Sequence, residues 1–175
     1  MKIFDKNFKE IFFSQIVSMI GGLIAGTVLA AYTGKLLLIP GMLILLPGFL
    51  EMRGNISGTF ASRLSSGLFL GEIKKRAING NLIASFVLAV FVSFVLGMTA
   101  YAFNLMILGV DFPKIIFLPL IAGIIANAIE IPLTLFATVY IFKKGHDPNN
   151  FMGPFVTSTG DITSIIALLI ALVII

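Results

Sequence analysis

The sequence has no cysteine and no tryptophan, a single histidine, and few charged residues. Without cysteine, the chain can form neither disulfides nor thiolate-ligated metal centres and clusters. Charged residues make up 11% of the chain and hydrophobic residues 58%, and the mean hydropathy is +1.09. This balance is unlike that of a soluble globular domain. It predicts an integral membrane protein.

Motifs of enzyme chemistry are also missing. The only histidine, His146, stands beside Asp147 in a polar stretch between apolar runs, and we interpret it as a solvated loop residue. The sequence contains no paired catalytic carboxylates, no zinc-binding HExxH and no serine-nucleophile motif. We therefore expect neither an enzyme nor a bound cofactor. The net charge of +4 comes from basic residues in short loops, so a nucleic-acid partner is not expected either.

Five apolar stretches predict an all-α protein whose residues 1–175 form one transmembrane domain. At about 20 residues per crossing, a chain of this length provides five or six helices and little else. The stretches cover residues 11–32, 36–70, 82–105, 115–142 and 151–175.

The basic residues at the ends of these stretches predict the orientation. With five crossings, one side of the membrane receives eight of them and the other side two, whereas six crossings would scatter them. Because cytoplasmic loops are enriched in Lys and Arg, we expect a multi-pass plasma-membrane protein with a cytoplasmic N-terminus and an outer C-terminus. The cytoplasmic group is Lys2, Lys6, Lys9, Lys74, Lys75, Arg76, Lys143 and Lys144, and the outer pair is Lys35 and Lys114.

The second stretch contains a polar segment, EMRGNISGTFASRLSSG, that starts at Glu51. Pro40 and Pro47 precede it, so we expect this helix to be kinked or broken. Two stripes then repeat every four residues on adjoining helical faces. The small stripe is Gly54, Gly58 and Ser62, and the polar stripe is Asn55, Thr59 and Arg63.

These stripes have two interpretations. For the glycines alone, close helix packing is the simpler one, and Arg53 and Arg63 would then pair with carboxylates or extend toward the interface. For the whole polar face, we favour a buried partner or an aqueous cavity, because charges and amides are costly within the membrane. Gly22 and Gly26 in the first stretch, and Gly123 with Asn127 in the fourth, offer further close-packing surfaces.

The fifth stretch places Asp161 among hydroxyl-bearing residues. It lies about ten residues into the stretch, or roughly 15 Å at helical rise, which is near the middle of the membrane. Thr157 precedes it by one turn, and Ser164 follows nearly one turn later. Carboxylates and hydroxyls are ligands for hard cations such as Mg²⁺ or Ca²⁺. The alternative is that Asp161 forms an ion pair with Arg53 or Arg63.

A second intramembrane polar pair stands in the fourth stretch. Asn127 and Glu130 are three residues apart and are followed by Pro132. From the sequence alone, Glu130 is either the partner of an arginine or an accessory cation site.

Two segments resemble the signature segments of the MgtE family of magnesium transporters, particularly the branch that includes animal solute carriers. They are PGFLEMRGNISGTFASRLSSG in the second stretch and DPNNFMGPFVTSTGD before and within the fifth. The resemblance implies a five-helix membrane domain that works as a homodimer among membrane lipids. It also implies that the second and fifth helices line a cation path and that Asp161 matches the aspartate that holds the hydrated ion.

From the depth of Asp161 and from that resemblance, we expect Asp161 to be the principal metal contact, and the positions of Asn55, Gly54 and Thr157 make them further contacts. An amide oxygen would come from Asn55, the backbone carbonyl of Gly54 would approach the path, and Thr157 would orient a ligand water. Accessory pathway residues would be Glu51, Ser62, Arg63, Asn127 and Glu130.

The chain departs from bacterial MgtE proteins in two respects. They carry a second amide and a glutamine just after their Gly-Asn pair, where this chain has Ser57, Gly58 and Thr59, so their filter details are not transferred. They also carry long cytoplasmic sensor domains before the first helix, where this sequence has about ten residues. We therefore expect gating to arise within the membrane domain or from another chain.

A different class of protein has a similar length. Membrane substrate-binding subunits of vitamin importers have five or six crossings and work with a separate ATPase. The lack of tryptophan, the three tyrosines and the short outer loops argue against a pocket for an organic ligand. For a cation transporter, channel-like passage and exchange for Na⁺ or H⁺ both stay open, as does the preference among Mg²⁺, Ca²⁺, Mn²⁺ and Co²⁺.

Overall fold

The computed structural model describes residues 5–71 and 75–175, so Lys2 and Lys74 lie outside the described residues. Across these two ranges the chain folds into five long helices and has no strand. The predicted all-α class is confirmed, and each helix coincides with one apolar stretch. The helices are α1 (Lys6–Leu36), α2 (Met42–Leu70), α3 (Lys75–Phe103), α4 (Phe117–Lys143) and α5 (Pro148–Ile174).

Local sequence explains where several helices begin and end. Asp5 caps α1 by accepting a hydrogen bond from the Phe8 N–H at 2.8 Å. At the start of α5, the Asp147 side chain accepts from the Asn149 N–H at 2.9 Å, and Pro148 occupies the first helical position. Acidic caps and an initial proline satisfy or remove the free N–H groups of a first turn. These signals fix both helix starts.

The chain reverses between α1 and α2 at Gly41. Its φ angle is +79°, a left-handed conformation that side chains rarely adopt. A Cβ atom at this position would also lie 2.9 Å from the Asn104 side-chain oxygen. The second helix therefore begins at Met42 instead of at residue 36, where the second apolar stretch begins.

The expected break in α2 is not found, because the helix is continuous from Met42 to Leu70. Pro47 is only the sixth residue of α2, so its missing N–H removes one hydrogen bond close to the helix start. The polar segment from Glu51 onward is therefore regular helix, and its stripes hold their four-residue spacing. The kink stays a prediction.

In the described part of the chain, four helical segments are long and apolar enough to cross a membrane. They are Lys6–Leu36, Lys75–Leu108, Pro113–Lys143 and Pro148–Ile174, where short helical turns extend α3 and precede α4. The chain is therefore a multi-pass membrane protein. The helix α2, which carries the polar segment, is not among these four, so a fifth crossing stays a prediction.

The helix α5 lies at the centre and packs against α1, α2 and α4, while α3 covers α2 and α4. Two apolar clusters fill the interior. One joins the start of α2 and of α4 to the end of α5, around Phe49, Leu118 and Leu168. The other joins Ala61, Ala137 and Met152 near the opposite ends of the same helices. A layer of buried polar side chains separates the two clusters.

Candidate functional site

The buried polar layer is built around Arg53. Its side chain has no exposed surface, although it is a guanidinium in the middle of α2. Its Nη1 atom lies 3.8 Å from Oε1 of Glu130 on α4, whose side chain is equally inaccessible. Its Nη2 donates a long hydrogen bond of 3.5 Å to the Val156 carbonyl of α5. A buried charge needs a partner. The ion pair joins α2 to α4, and the hydrogen bond to Val156 adds α5.

Both oxygens of the Glu130 carboxylate accept hydrogen bonds from α5. The Thr159 hydroxyl donates to Oε1 at 2.9 Å, and the Thr163 hydroxyl approaches Oε2 at 3.4 Å. The two threonines are four residues apart and so lie on the face of α5 that contacts α4. The structure thus places Glu130 as an arginine partner, the first of its two alternatives. Its role as an accessory cation site stays a prediction.

Gly160 makes room for this arrangement. It is buried, and a Cβ atom there would overlap the Arg53 guanidinium. Any larger residue would force the guanidinium away from Glu130. The requirement for glycine at this position therefore comes from contact with a charged side chain.

Asp161 is half-buried and is the other carboxylate at this depth. The Arg53 guanidinium attracts it electrostatically, but within the described residues Asp161 makes no salt bridge. Ser158 faces Gly21 of α1, and Gly160 faces α2. At 3.6 residues per turn, Asp161 points between these two contacts and away from α4. The structure therefore does not show the ion pair with Arg53 or Arg63 that was the alternative for Asp161.

Thr157 and Asp161 form an open stripe on α5. Gly153 lies one turn before Thr157, and both are exposed. The Thr157 hydroxyl donates to the Gly153 carbonyl at 3.0 Å, so its oxygen lone pairs remain available as acceptors. The stripe presents one carboxylate and one hydroxyl oxygen toward the outside of the single chain. This is the part of the predicted site that the structure keeps together.

On α2, Gly54 and Gly58 are half-buried, and an added Cβ at either would meet no other atom of the described chain within 4 Å. The same holds for Gly22 and Gly26 of α1. Within this single chain, these four glycines therefore do not serve the close helix packing that the sequence suggested. Gly123, in contrast, lies against the Ser93 side chain of α3.

Asn55 faces a different side of α2 from the glycines. Asn55, Thr59 and Arg63 border a groove of about 260 Å³ whose other wall is α3, around Ser85. The exposed Asn55 amide donates to Glu51 Oε1 at 3.1 Å. The polar stripe therefore opens toward α3, and no hydrogen bond joins Asn55 to Asp161 in the described chain. Ser62 is exposed on the outer side of α2.

Asn127 is fully buried and lies away from the open stripe. Its Nδ2 donates to the Gly123 carbonyl one turn earlier at 2.7 Å. Among the site residues that the sequence analysis did not select, Thr159, Gly160 and Thr163 are the main ones. The run TSTGDIT could have indicated them, because Thr159 and Thr163 are four residues apart and flank Gly160.

A second polar cluster joins α1 to the turn between α4 and α5. Glu10, only 7% exposed, accepts from the Asn150 side chain at 2.9 Å and lies 2.8 Å from Nδ1 of His146. The Ser14 hydroxyl donates to the Asn150 carbonyl at 2.8 Å. His146 lies between α4 and α5 and is exposed, which agrees with its interpretation as a solvated loop residue. The contact with Glu10 was not predicted.

Comparison with known proteins gives one clear result. Residues 46–171 match the family model of MgtE, described as a divalent cation transporter. No curated protein matches the chain, and no solved structure does. The matched range covers most of the chain and includes the polar layer, the open stripe of α5 and all of the polar segment of α2. The chain therefore belongs to the MgtE family of divalent cation transporters, a family of transporters and not of enzymes.

Proposed function

We propose that the chain carries Mg²⁺ across the plasma membrane as a homodimer, along a path lined by α2 and α5 of both copies. In this proposal α2 supplies the fifth crossing, the N-terminus is cytoplasmic and the C-terminus is outside. The family supports divalent cation transport in general. The choice of ion, the dimer and the path are inferred from the arrangement of charges in the polar layer.

The proposal depends on a difference between two carboxylates near the middle of the membrane, namely their burial and their partners. Glu130 is fully buried, paired with Arg53 and hydrogen-bonded by two threonines. Asp161 is half-buried on an open face and has no such partner in the described chain. An ionisable side chain within a membrane protein normally faces a partner, water or an ion path. Asp161 therefore suits a transported cation better than Glu130 does.

A second copy of the chain would enclose this face. The open stripe of α5 and the uncovered glycines Gly54 and Gly58 all lie on the outer surface of the single chain. Lipid would leave the Asp161 carboxylate without compensation, whereas small residues let two backbones approach closely. A twofold axis beside α2 and α5 would bring two Asp161 side chains to one path, which is why we propose a symmetric dimer.

The chemistry of the path suits a hydrated ion. Mg²⁺ prefers octahedral oxygen coordination and gives up its water reluctantly. A pair of carboxylates that contacts the hydration shell can hold such an ion without building a complete protein cage. Thr157 would orient one of these waters, and the Gly54 carbonyl would contribute from α2. The Asn55 amide oxygen remains a proposed contact, although in the single chain it opens toward α3. Glu51, Ser62, Arg63 and Asn127 remain proposed accessory residues of the pathway, and Glu130 would act on the path only through its ion pair with Arg53.

The test is Mg²⁺ uptake by the purified chain in liposomes, with membrane potential, pH gradient and Na⁺ gradient varied separately. We expect saturable Mg²⁺ uptake above that of protein-free liposomes. Dependence on potential alone would indicate a channel-like pathway, and dependence on Na⁺ or H⁺ would indicate exchange. Absence of uptake for Mg²⁺ and for other divalent cations would contradict the proposal.

A further inference from the structure

We propose that Arg53 sets the net charge of the cation site by cancelling Glu130, so that each copy presents the single negative charge of Asp161. This inference rests on the proposed function. In a homodimer the two sites then sum to the charge of one divalent cation with opposite sign. Arg53 would then influence which ion is selected without touching it, because it sets the net charge around the site.

The position of Arg53 supports this role. Its guanidinium lies against the backbone of Gly160, the residue that directly precedes Asp161. It attracts Glu130, with which it pairs, and Asp161, with which it makes no salt bridge in the described chain. One guanidinium therefore interacts with two carboxylates and forms an ion pair with one of them. The other carboxylate keeps its charge free for the path.

The remaining charges of the membrane interior do not change this sum. At mid-depth the polar layer contributes Arg53, Glu130 and Asp161, which together carry one negative charge. The exposed face of α2 adds Glu51 and Arg63, whose charges cancel. Between Ile11 and Gly34 of α1, and between Leu82 and Leu108 around α3, the sequence has no charged residue. The net value of one negative charge per copy therefore depends on Arg53.

The hydrogen bonding of Arg53 is incomplete within the described chain. Its Nε and Nη1 atoms are buried and have no hydrogen-bond partner in the described chain, as is also true of the Ser57 hydroxyl one turn away. The Arg53 side chain is paired with Glu130 and fits into the space that Gly160 leaves free.

Charge-balanced variants separate electrostatics from structure. Glu130→Gln leaves Arg53 uncompensated and makes the site neutral, whereas the double variant Arg53→Gln with Glu130→Gln restores one negative charge per copy. The measurement is the Mg²⁺ concentration dependence of uptake by the full chain in liposomes, together with the melting temperature of each protein. We expect Glu130→Gln to raise the KM for Mg²⁺ about tenfold, since one unit charge acts strongly over several ångströms in a protein interior. The double variant should return to within about threefold of the wild-type KM.

The outcomes decide between the possible roles. An unchanged KM in Glu130→Gln, with only a lower melting temperature or maximal rate, would show a structural role and overturn the inference. If Glu130→Gln does not fold, the double variant alone decides, because a KM far above that of the wild type would overturn the inference despite its restored charge. Wild-type uptake is measured in the same assay. If the wild-type protein shows no uptake, the proposed function is overturned as well. If the wild-type protein transports Mg²⁺ and Glu130→Gln has the same KM, only the role of Arg53 is rejected.

Discussion

Gly160 lies so close to the guanidinium of Arg53 that a single added methyl group would overlap it. The contact connects a backbone position of α5 to the ion pair between Arg53 and Glu130. The buried guanidinium of Arg53 thus occupies space that any side chain at position 160 would fill. Changing that residue tests the arrangement without removing either charge.

The variant Gly160→Ala should destabilise the protein, because the guanidinium must move out of its pairing position. Overpacking of this kind typically costs about 1–3 kcal/mol, and in a helix it outweighs the intrinsic preference for alanine. The measurement is the thermal unfolding midpoint in detergent. The control is Gly80→Ala on α3, where an added Cβ meets nothing within 4 Å, and it should be neutral or stabilising. Equal midpoints for the two variants would contradict the packing around Arg53.

The Glu10 cluster should anchor α1 to the start of α5. In Glu10→Ala, the side chains of His146 and Asn150 lose the carboxylate that they contact at 2.8 and 2.9 Å. Loss of a partly buried, charged acceptor is expected to cost about 1–3 kcal/mol. The exposed Lys9→Ala on the same helix is the matched control. A midpoint for Glu10→Ala no lower than that of the control would show that this cluster does not stabilise the fold.

The orientation is tested with single cysteines, for which the natural absence of cysteine makes the chain well suited. A cysteine in place of Lys143, at the end of α4, should be protected from an impermeant thiol reagent added to intact cells. A cysteine in place of Val110, in the turn before α4, should react. We expect this difference because the basic residues are concentrated at the Lys143 end of the helices. The reverse labelling pattern would invert the topology.

The dimer is tested by crosslinking within the membrane. Thr157→Cys places a thiol on the exposed stripe of α5 and should form a disulfide between copies under mild oxidation. Ala128→Cys is the control, because residue 128 is exposed on α4, which lies away from the proposed axis. We expect a covalent dimer from the first variant and a monomer from the second. Crosslinking through Ala128 but not Thr157 would require a different interface.

Much of the fold follows from the sequence, since apolar runs of crossing length have few alternatives to helices and cap residues mark their starts. The number and order of the helices were predictable on that basis. The start of α2 was not, because Pro40 and Gly41 form a turn inside an apolar run. The predicted kink or break in α2 is not confirmed: the helix is continuous, since a proline near a helix start removes only one hydrogen bond, and a kink stays a prediction.

The candidate site was predictable only in part. Helical spacing groups Thr157 with Asp161 and groups Asn55 with Thr59, because both depend only on the period of the helix. Which neighbouring helix each stripe faces is a tertiary question, and Asn55 proves to open toward α3. The partner of Arg53 could not be chosen from the sequence either. Glu130 and Asp161 were both available, and the threonines of α5 that bind Glu130 act only after the helices have packed.

The central claim is that Asp161 holds the transported ion through its charge. The most direct measurement is Mg²⁺ uptake into liposomes by Asp161→Asn, which keeps the shape of the side chain and removes the charge. Asp111→Asn serves as the control, because Asp111 lies in the exposed turn before α4, where it accepts a hydrogen bond from Tyr101. We predict that Asp161→Asn folds and dimerises normally but loses nearly all Mg²⁺ uptake, while Asp111→Asn retains it. A stable Asp161→Asn protein with wild-type uptake would contradict the account.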